Sequence, residues 1–192
     1  MKHTTWSIQT RWLHFGMALT VSFQLFISLV MEAPDHEDAS NLARAAFEAH
    51  EFVGMAALAI VLLHWLWSLS SQADGGLGRL FPWGPSGLAA VKKDLAMIMK
   101  GKLPDGGARG GLPGFVHGLG FLAVTAMVIT GGVLFFIFPE TGKPDDTVEF
   151  VAEIHEFIAT FVWIYWGAHL ALGVLHKKLG HSTVQDMFNL KP

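Results

Sequence analysis

The chain has 192 residues, 52% of them hydrophobic and only 15% charged, against about 25% charged in an average soluble domain. A net charge of −3 with no excess of basic surface excludes a nucleic-acid binder. The absence of cysteine removes disulfides, iron–sulfur clusters, thiolate zinc sites, cysteine nucleophiles and thioether-attached haem together.

Four segments lack Asp, Glu, Lys and Arg for long enough to cross a bilayer, which takes about 20 residues. They are residues 12–31, 52–72, 110–140 less the final Glu, and 157–176. Flanking turns extend the predicted spans to about 10–31, 46–70, 112–138 and 150–176, because Glu48, Glu51, Glu153 and Glu156 can face water on a first turn. The first span is not a signal peptide: it is too long, carries His14 and Gln24, and lacks a small-residue cleavage site. The connection between spans two and three is rich in Gly and Pro over residues 74–85 and 103–113. Between them residues 86–102 predict an amphipathic helix, with Leu88, Val91, Leu95 and Ile98 on one face and Lys92, Lys93 and Lys100 elsewhere. Such a helix suits anionic lipid headgroups. The expected fold is all-α: one transmembrane four-helix bundle over residues 1–192, with a short interfacial helix.

The charges divide by side. Of 13 Lys and Arg residues, 11 lie at the termini or in the long connection, and only Arg44 and Lys143 lie on the other side. The positive-inside rule then places both termini in the cytoplasm of a bacterial inner membrane. Of 16 acids, 12 fall at the outer face: Glu32, Asp35, Glu37, Asp38, Glu48, Glu51, Glu140, Asp145, Asp146, Glu149, Glu153 and Glu156.

Ten residues are His, and six of them (His14, His50, His64, His117, His155 and His169) sit within the predicted spans, while His176 only closes the fourth. An ionisable group at membrane depth is costly and is functional by default. One such group could simply hydrogen-bond across helices; six ask for more. His155 and His169 are 14 residues apart, which is about 40° short of four helical turns and about 21 Å of rise. His50 and His64 repeat the spacing. His50 and His155 therefore share an outer level, and His64, His169 and His14 an inner one. Two levels with at least two imidazoles each suit two six-coordinate haems in a bundle interior. Zinc or copper would want three or four donors converging on one point. Gly16, Gly54, Gly167, Ala168 and Gly173 leave room for a flat macrocycle, and equally for close helix packing. His3, His36, His176 and His181, at termini or in loops, read as solvated. Trp6, Trp12, Trp65, Trp67, Trp163 and Trp166 fit an aromatic belt.

Three motifs carry a resemblance: Arg11-Trp12-Leu13-His14-Phe15 opening span one, His50-Glu51-Phe52-Val53-Gly54 opening span two, and Ile154-His155-Glu156 with His169 following in span four. On these the chain resembles the bacterial cytochrome b561 family and the related cytochrome b subunits of nickel–iron hydrogenases and formate dehydrogenases. The resemblance implies that each span-four histidine ligates one haem b. Carried over, His50 and His155 hold the iron of an outer haem, and His14 and His169 that of an inner one. His64 departs from the family pattern, which has a basic residue there. It is an alternative inner ligand to His14, or a hydrogen-bond donor to a haem propionate. His117 has the same choice or helps bind a quinone headgroup. Arg11, Lys177 and Lys178 are candidates for inner propionates, the two lysines reading more simply as positive-inside flanks.

The function expected is electron transfer between the membrane quinone pool, the exchangeable substrate, and a periplasmic redox partner. Bis-imidazole iron has no open position for direct oxygen chemistry. The acidic face would steer a basic partner, such as a lysine-rich c-type cytochrome or a redox enzyme subunit. The chain is then an electron-transfer protein or an oxidoreductase subunit. Some family members oxidise superoxide and reduce quinone; this reading ranks lower, because an acidic face repels an anion. A haem-binding scaffold is the alternative of another class. A homodimer is compatible with so small a bundle, and membrane lipid is a partner in every reading.

Overall fold

Long apolar runs uninterrupted by internal proline set the longest helices of the computed structural model, which describes residues 6–33, 39–70, 74, 76–104, 106–107, 109–139 and 143–191. The helices in order are α1 (Ile8–Ile27), α2 (Asn41–Leu69), α3 (Gly76–Leu80), α4 (Pro85–Met99), α5 (Gly111–Ile137), α6 (Asp146–Lys178) and α7 (Thr183–Phe188), and no strand occurs among the described residues. Pro85 opens α4, and Pro113 stands in the first turn of α5, where a missing amide costs nothing. The expectations for Lys2, His3, Asp35, His36, Glu37, Asp38 and Glu140 lie outside the described residues.

α2, α5 and α6 are long and apolar enough to cross a membrane. α1 has 20 residues, is interrupted by Gln9, Thr10, Arg11, His14 and Gln24, and is not among these three. α2 and α6 begin at Asn41 and Asp146, a full turn before the positions the charge pattern suggested. Asp145 explains the second start: its Oδ1 accepts from the amides of Thr147 and Val148, both at 2.9 Å. Two short helices were not foreseen, α3 within the Gly- and Pro-rich connection and α7 near the C-terminus.

The chain divides into two units. One comprises Gly16–Leu62 and Ala123–Tyr165. It holds all 12 acids of the expected outer face against the bases Arg44 and Lys143, and is called the acidic unit below. Its core is small and aliphatic: Leu25, Ala57, Val61, Val124 and Val162 are buried. Gly16 lets α1 approach α2, since a Cβ there would stand 3.2 Å from Ile60 Cδ1. The large side chains Phe52, Phe136, Phe157 and Ile164 point outward instead.

The other unit comprises Met1–Phe15, Leu63–Leu122 and Trp166–Pro192. It carries 11 bases and 4 acids and is called the basic unit. Polar anchors hold its short elements. The Asp74 carboxylate accepts from the Ser7 amide at 3.0 and 2.9 Å and from the Ser7 hydroxyl at 2.9 Å, tying down the start of α1. Trp67 Nε1–H donates to Thr10 Oγ1 at 2.9 Å. On α4 the buried residue is Asp94, not the apolar stripe. Its Oδ2 accepts from Arg109 Nη1 and from the Leu112 amide, each at 2.9 Å, an anion on the free amides opening α5. Gly111 is required there: its φ is +73°, and a Cβ would stand 2.4 Å from Asp94 Oδ2. Leu88, Leu95, Ile98 and Met99 of α4 face outward.

One contact fixes α3. The carbonyl oxygens of Arg79 and Leu80 lie where Cβ atoms on Gly114 and Gly118 would be, at 2.1 and 1.9 Å. A side chain at either position would drive α3 off α5. The two glycines, four apart on one face, make a groove for a peptide backbone.

Candidate functional site

Each unit brings imidazoles together. In the acidic unit, the first turns of α2 and α6 carry charged residues while the next turns run into apolar sequence, and His50 and His155 stand at that transition. Their ring centres are 6.2 Å apart with planes at 81°. Both line a cavity of about 440 Å³ with Gln24, Gly54, Gly131 and Glu156, within the roughly 300–1,000 Å³ of ordinary ligand pockets. The Gln24 amide donates to the His50 carbonyl at 2.8 Å, while Gln24 Oε1 and His50 Nδ1 are buried without hydrogen-bond partners.

His155 is held more closely. Thr130 Oγ1 lies 2.8 Å from His155 Nδ1 and 2.9 Å from the Ala126 carbonyl. A hydroxyl has one proton, which goes to the carbonyl, so its oxygen accepts from Nδ1–H. That bond selects the tautomer with a lone pair on Nε2, the arrangement that prepares a histidine to bind a metal. Gly131 completes the seat: a Cβ there would stand 3.0 Å from His155 Cε1.

In the basic unit, the rings of His14 on α1 and His169 on α6 are 6.1 Å apart with planes at 50°. His117 of α5 stands 5.1 Å from His169 at 87°, its Nδ1–H donating to the Pro113 carbonyl at 2.6 Å. His64 is 8% exposed and turns to Ser68 Oγ at 3.2 Å and to the Phe121 ring at 4.6 Å. His14 Nδ1 and Arg11 Nε are buried without hydrogen-bond partners, while Arg11 Nη1 donates to the Asn189 carbonyl. Phe188 of α7 packs on His14 at 5.7 Å and on Phe15 at 6.5 Å. His176 and His181 pair with each other, Nδ1 to Nδ1, at 2.8 Å.

The two spacings discriminate between partners. A metal–imidazole bond of about 2.0–2.1 Å, plus about 1.1 Å from nitrogen to ring centre, puts two imidazoles on opposite sides of one iron about 6.3 Å apart. His50–His155 and His14–His169 meet that distance. His117–His169, at 5.1 Å, leaves no room for an atom between them. Among the described residues no three His, Cys, Asp or Glu side chains converge as a metal site. Paired imidazoles are what an iron already held by four porphyrin nitrogens needs. The residues therefore fit haem: paired imidazoles whose ring centres stand at one-iron spacing, and a cavity beside one pair.

Sequence reasoning singled out the histidines but missed their neighbours. Thr130 and Gly131 offer only a small polar break in an apolar helix, with no spacing rule to flag them. Of the glycines expected to make room for a macrocycle, Gly54 lies against Gln24 (a Cβ would stand 2.9 Å from Nε2), while a Cβ on Gly167 meets nothing within 4 Å.

The family model described as prokaryotic cytochrome b561 matches residues 5–190. Neither the curated proteins nor the solved structures contain a significant match to the chain. With a family match over nearly its whole length and membrane-capable helices carrying paired imidazoles, the chain belongs to the prokaryotic cytochrome b561 family of transmembrane, b-type-haem electron-transfer proteins.

Proposed function

We propose that the protein carries two haems b and passes single electrons through them between the membrane quinone pool and a redox partner outside the inner membrane. His50 and His155 hold one haem and His14 and His169 the other. The observation that carries this reading is the pair of ring separations, 6.2 and 6.1 Å, each the width of one bis-imidazole iron. The fourteen-residue step from His155 to His169 on α6 would set the haems about 21 Å apart along that helix, in series across the bilayer. Haem held by these residues would supply one-electron chemistry.

The chain's own residues orient and exclude. Thr130 keeps the His155 lone pair on Nε2. Phe188 and the Arg11–Asn189 link cover His14. His117, with its Nδ1–H committed to Pro113, has a lone pair on Nε2 that can accept a proton from a quinol hydroxyl. The basic unit faces the cytoplasm by the positive-inside rule. α4, outward-facing through Leu88, Leu95, Ile98 and Met99 and flanked by lysines, lies on the headgroups there. The acidic unit faces out and steers a basic partner, a lysine-rich cytochrome or an enzyme subunit, by its charge.

The test is haem stoichiometry and spin state in the purified full chain. Two low-spin haems per chain are expected. One haem, or a high-spin five-coordinate iron, overturns the reading. Rapid mixing with superoxide checks the partner: fast haem reduction with little salt dependence would replace the docking partner by superoxide.

A further inference from the structure

Arg79, the basic residue of α3, has no role in the reading above. Its Nη1 is buried without a hydrogen-bond partner. Its guanidinium carbon lies 4.4 Å over the Trp6 ring, and Trp6 is itself buried, so one face of the guanidinium is pinned. Its backbone is fixed as firmly, because the Arg79 and Leu80 carbonyls occupy the space left by Gly114 and Gly118. Asp74 is the acid that acts on it, yet both Asp74 oxygens are engaged by Ser7. Burial lowers the Arg79 pKa from its ordinary value and Asp74 opposes this; a guanidinium stays charged in any case.

An arginine fixed in this way with an idle, buried N–H calls for an acceptor, since a buried donor left unpaired is costly, and a guanidinium is best met by an anionic one. The place narrows the choice. Gly114 and Gly118 bracket His117, whose ring lies 5.1 Å from that of His169. In the same unit Arg11 Nε is likewise buried and idle. A haem presents two carboxylates, and planar carboxylates match guanidinium geometry.

We infer that Arg79 Nη1 binds a propionate carboxylate of the haem held by His14 and His169, with Arg11 Nε serving the second propionate. This inference rests on the di-haem reading. The arrangement fixes the rotation of the macrocycle about its axial bonds and places a positive charge beside one iron and not the other, which stabilises that iron in the ferrous state.

The experiment compares full-length wild type, Arg79→Gln and Arg79→Lys by redox titration, with haem or its dimethyl ester supplied. Arg79→Gln is expected to keep two low-spin haems. At a fixed electrode potential it should lower the ferrous-to-ferric ratio about three- to tenfold, only for the haem that His169→Ala removes. Arg79→Lys, which keeps the charge, should restore most of that ratio. With dimethyl-ester haem, which has no carboxylate for Arg79 to hold, wild type and Arg79→Gln should bind the ester with equal affinity at the His14–His169 site. Where Arg79→Gln does not accumulate, the wild type carries the test: the ester should bind the His14–His169 site at least several-fold more weakly than haem. Unchanged titration of Arg79→Gln, or equal binding of haem and ester, overturns the inference. Loss of anionic lipid from Arg79→Gln with no change in titration assigns the site to a lipid phosphate and overturns it equally. Absence of a haem from the His14–His169 site in wild type would sink the di-haem reading itself, a separate result.

Discussion

The acidic and basic units place one kind of histidine pair in different surroundings. Each sets a histidine of α6 against one from another helix at nearly the same separation, 6.2 and 6.1 Å. Among its described residues the acidic unit has that one pair, a cavity of about 440 Å³ beside it, and a side-chain hydroxyl fixing one imidazole. The basic unit adds His64 and His117, buries atoms of Arg11 and Arg79 without partners, and covers His14 with Phe188 of α7. The irons would be ligated alike. What differs is the polar matter around them, and that sets potential, access and partner. On the function proposed, one unit would attract a charged protein and the other would handle protons and a small hydrophobic substrate.

The comparison breaks most visibly if the pairs are not independent. His155→Ala should remove about half the haem and leave the other spectrum intact; His169→Ala should remove the other half. Haem content and low-temperature spectra decide it. If either variant loses both haems, the units do not act separately and the pairing needs revision. His117→Ala, by the spacing argument, should keep both haems, whereas His14→Ala should lose one.

A second break targets the glycine groove. Gly118→Val puts a side chain where Leu80 O already lies, 1.9 Å from the Cβ. Overpacking of this kind costs about 1–3 kcal/mol. α3 should lift, taking Arg79 with it, so the basic-unit haem should loosen while the His50–His155 haem keeps its spectrum. A thermal melt followed separately at each haem reads this. Equal losses at both haems would mean that the groove supports the whole chain and not one unit.

Much of this asymmetry is legible in the sequence, and the rest is not, for physical reasons. Helical periodicity puts His155 and His169 on nearly one face, and the apolar runs carry the long helices. The charge division is a property of composition by position, so it coincides with the two units. Periodicity cannot report which residue of α4 turns inward. The apolar stripe marks Leu88 and Leu95, which face outward, and nothing in the pattern marks Asp94, which is buried because the free amides at the start of α5 need an anion. Nor can it distinguish His14, His64 and His117 as neighbours of His169. They share an inner level, and only side-chain contacts separate a ring at 6.1 Å from one at 5.1 Å and from one turned to Ser68. Arg79 looked like one more positive-inside residue, because nothing in its local sequence reveals that α3 folds it back over Trp6.

The charge contrast is tested by reversal. Glu149→Lys with Glu153→Lys should slow reduction by a lysine-rich cytochrome about tenfold at low salt, with the difference vanishing as salt screens it. Reversing Lys92 and Lys93 should leave that rate unchanged, since they belong to the other unit. Equal effects from the two substitutions would remove the acidic unit as the docking face.

The smallest expected effect isolates the polar surroundings most cleanly. Thr130→Val is close in shape and leaves the backbone of α5 intact, since the Thr130 hydroxyl only adds bonds to the Ala126 and Met127 carbonyls. It removes the acceptor at 2.8 Å from His155 Nδ1. An imidazole whose Nδ1–H is hydrogen-bonded pushes more electron density onto the iron and favours the ferric state. Losing one hydrogen bond, a matter of about 0.5–1.5 kcal/mol, should therefore raise the ferrous-to-ferric ratio of the His50–His155 haem several-fold at fixed potential. Thr130→Ser should restore it. The His14–His169 haem, whose imidazoles do not touch Thr130, should titrate as in wild type. A parallel shift at both haems would mean that the substitution acts through the fold. No shift at either would mean that the hydroxyl merely satisfies a buried nitrogen. Only the one-sided change shows ligation held constant while its surroundings tune the potential, which is what two units with the same spacing and different neighbours should display.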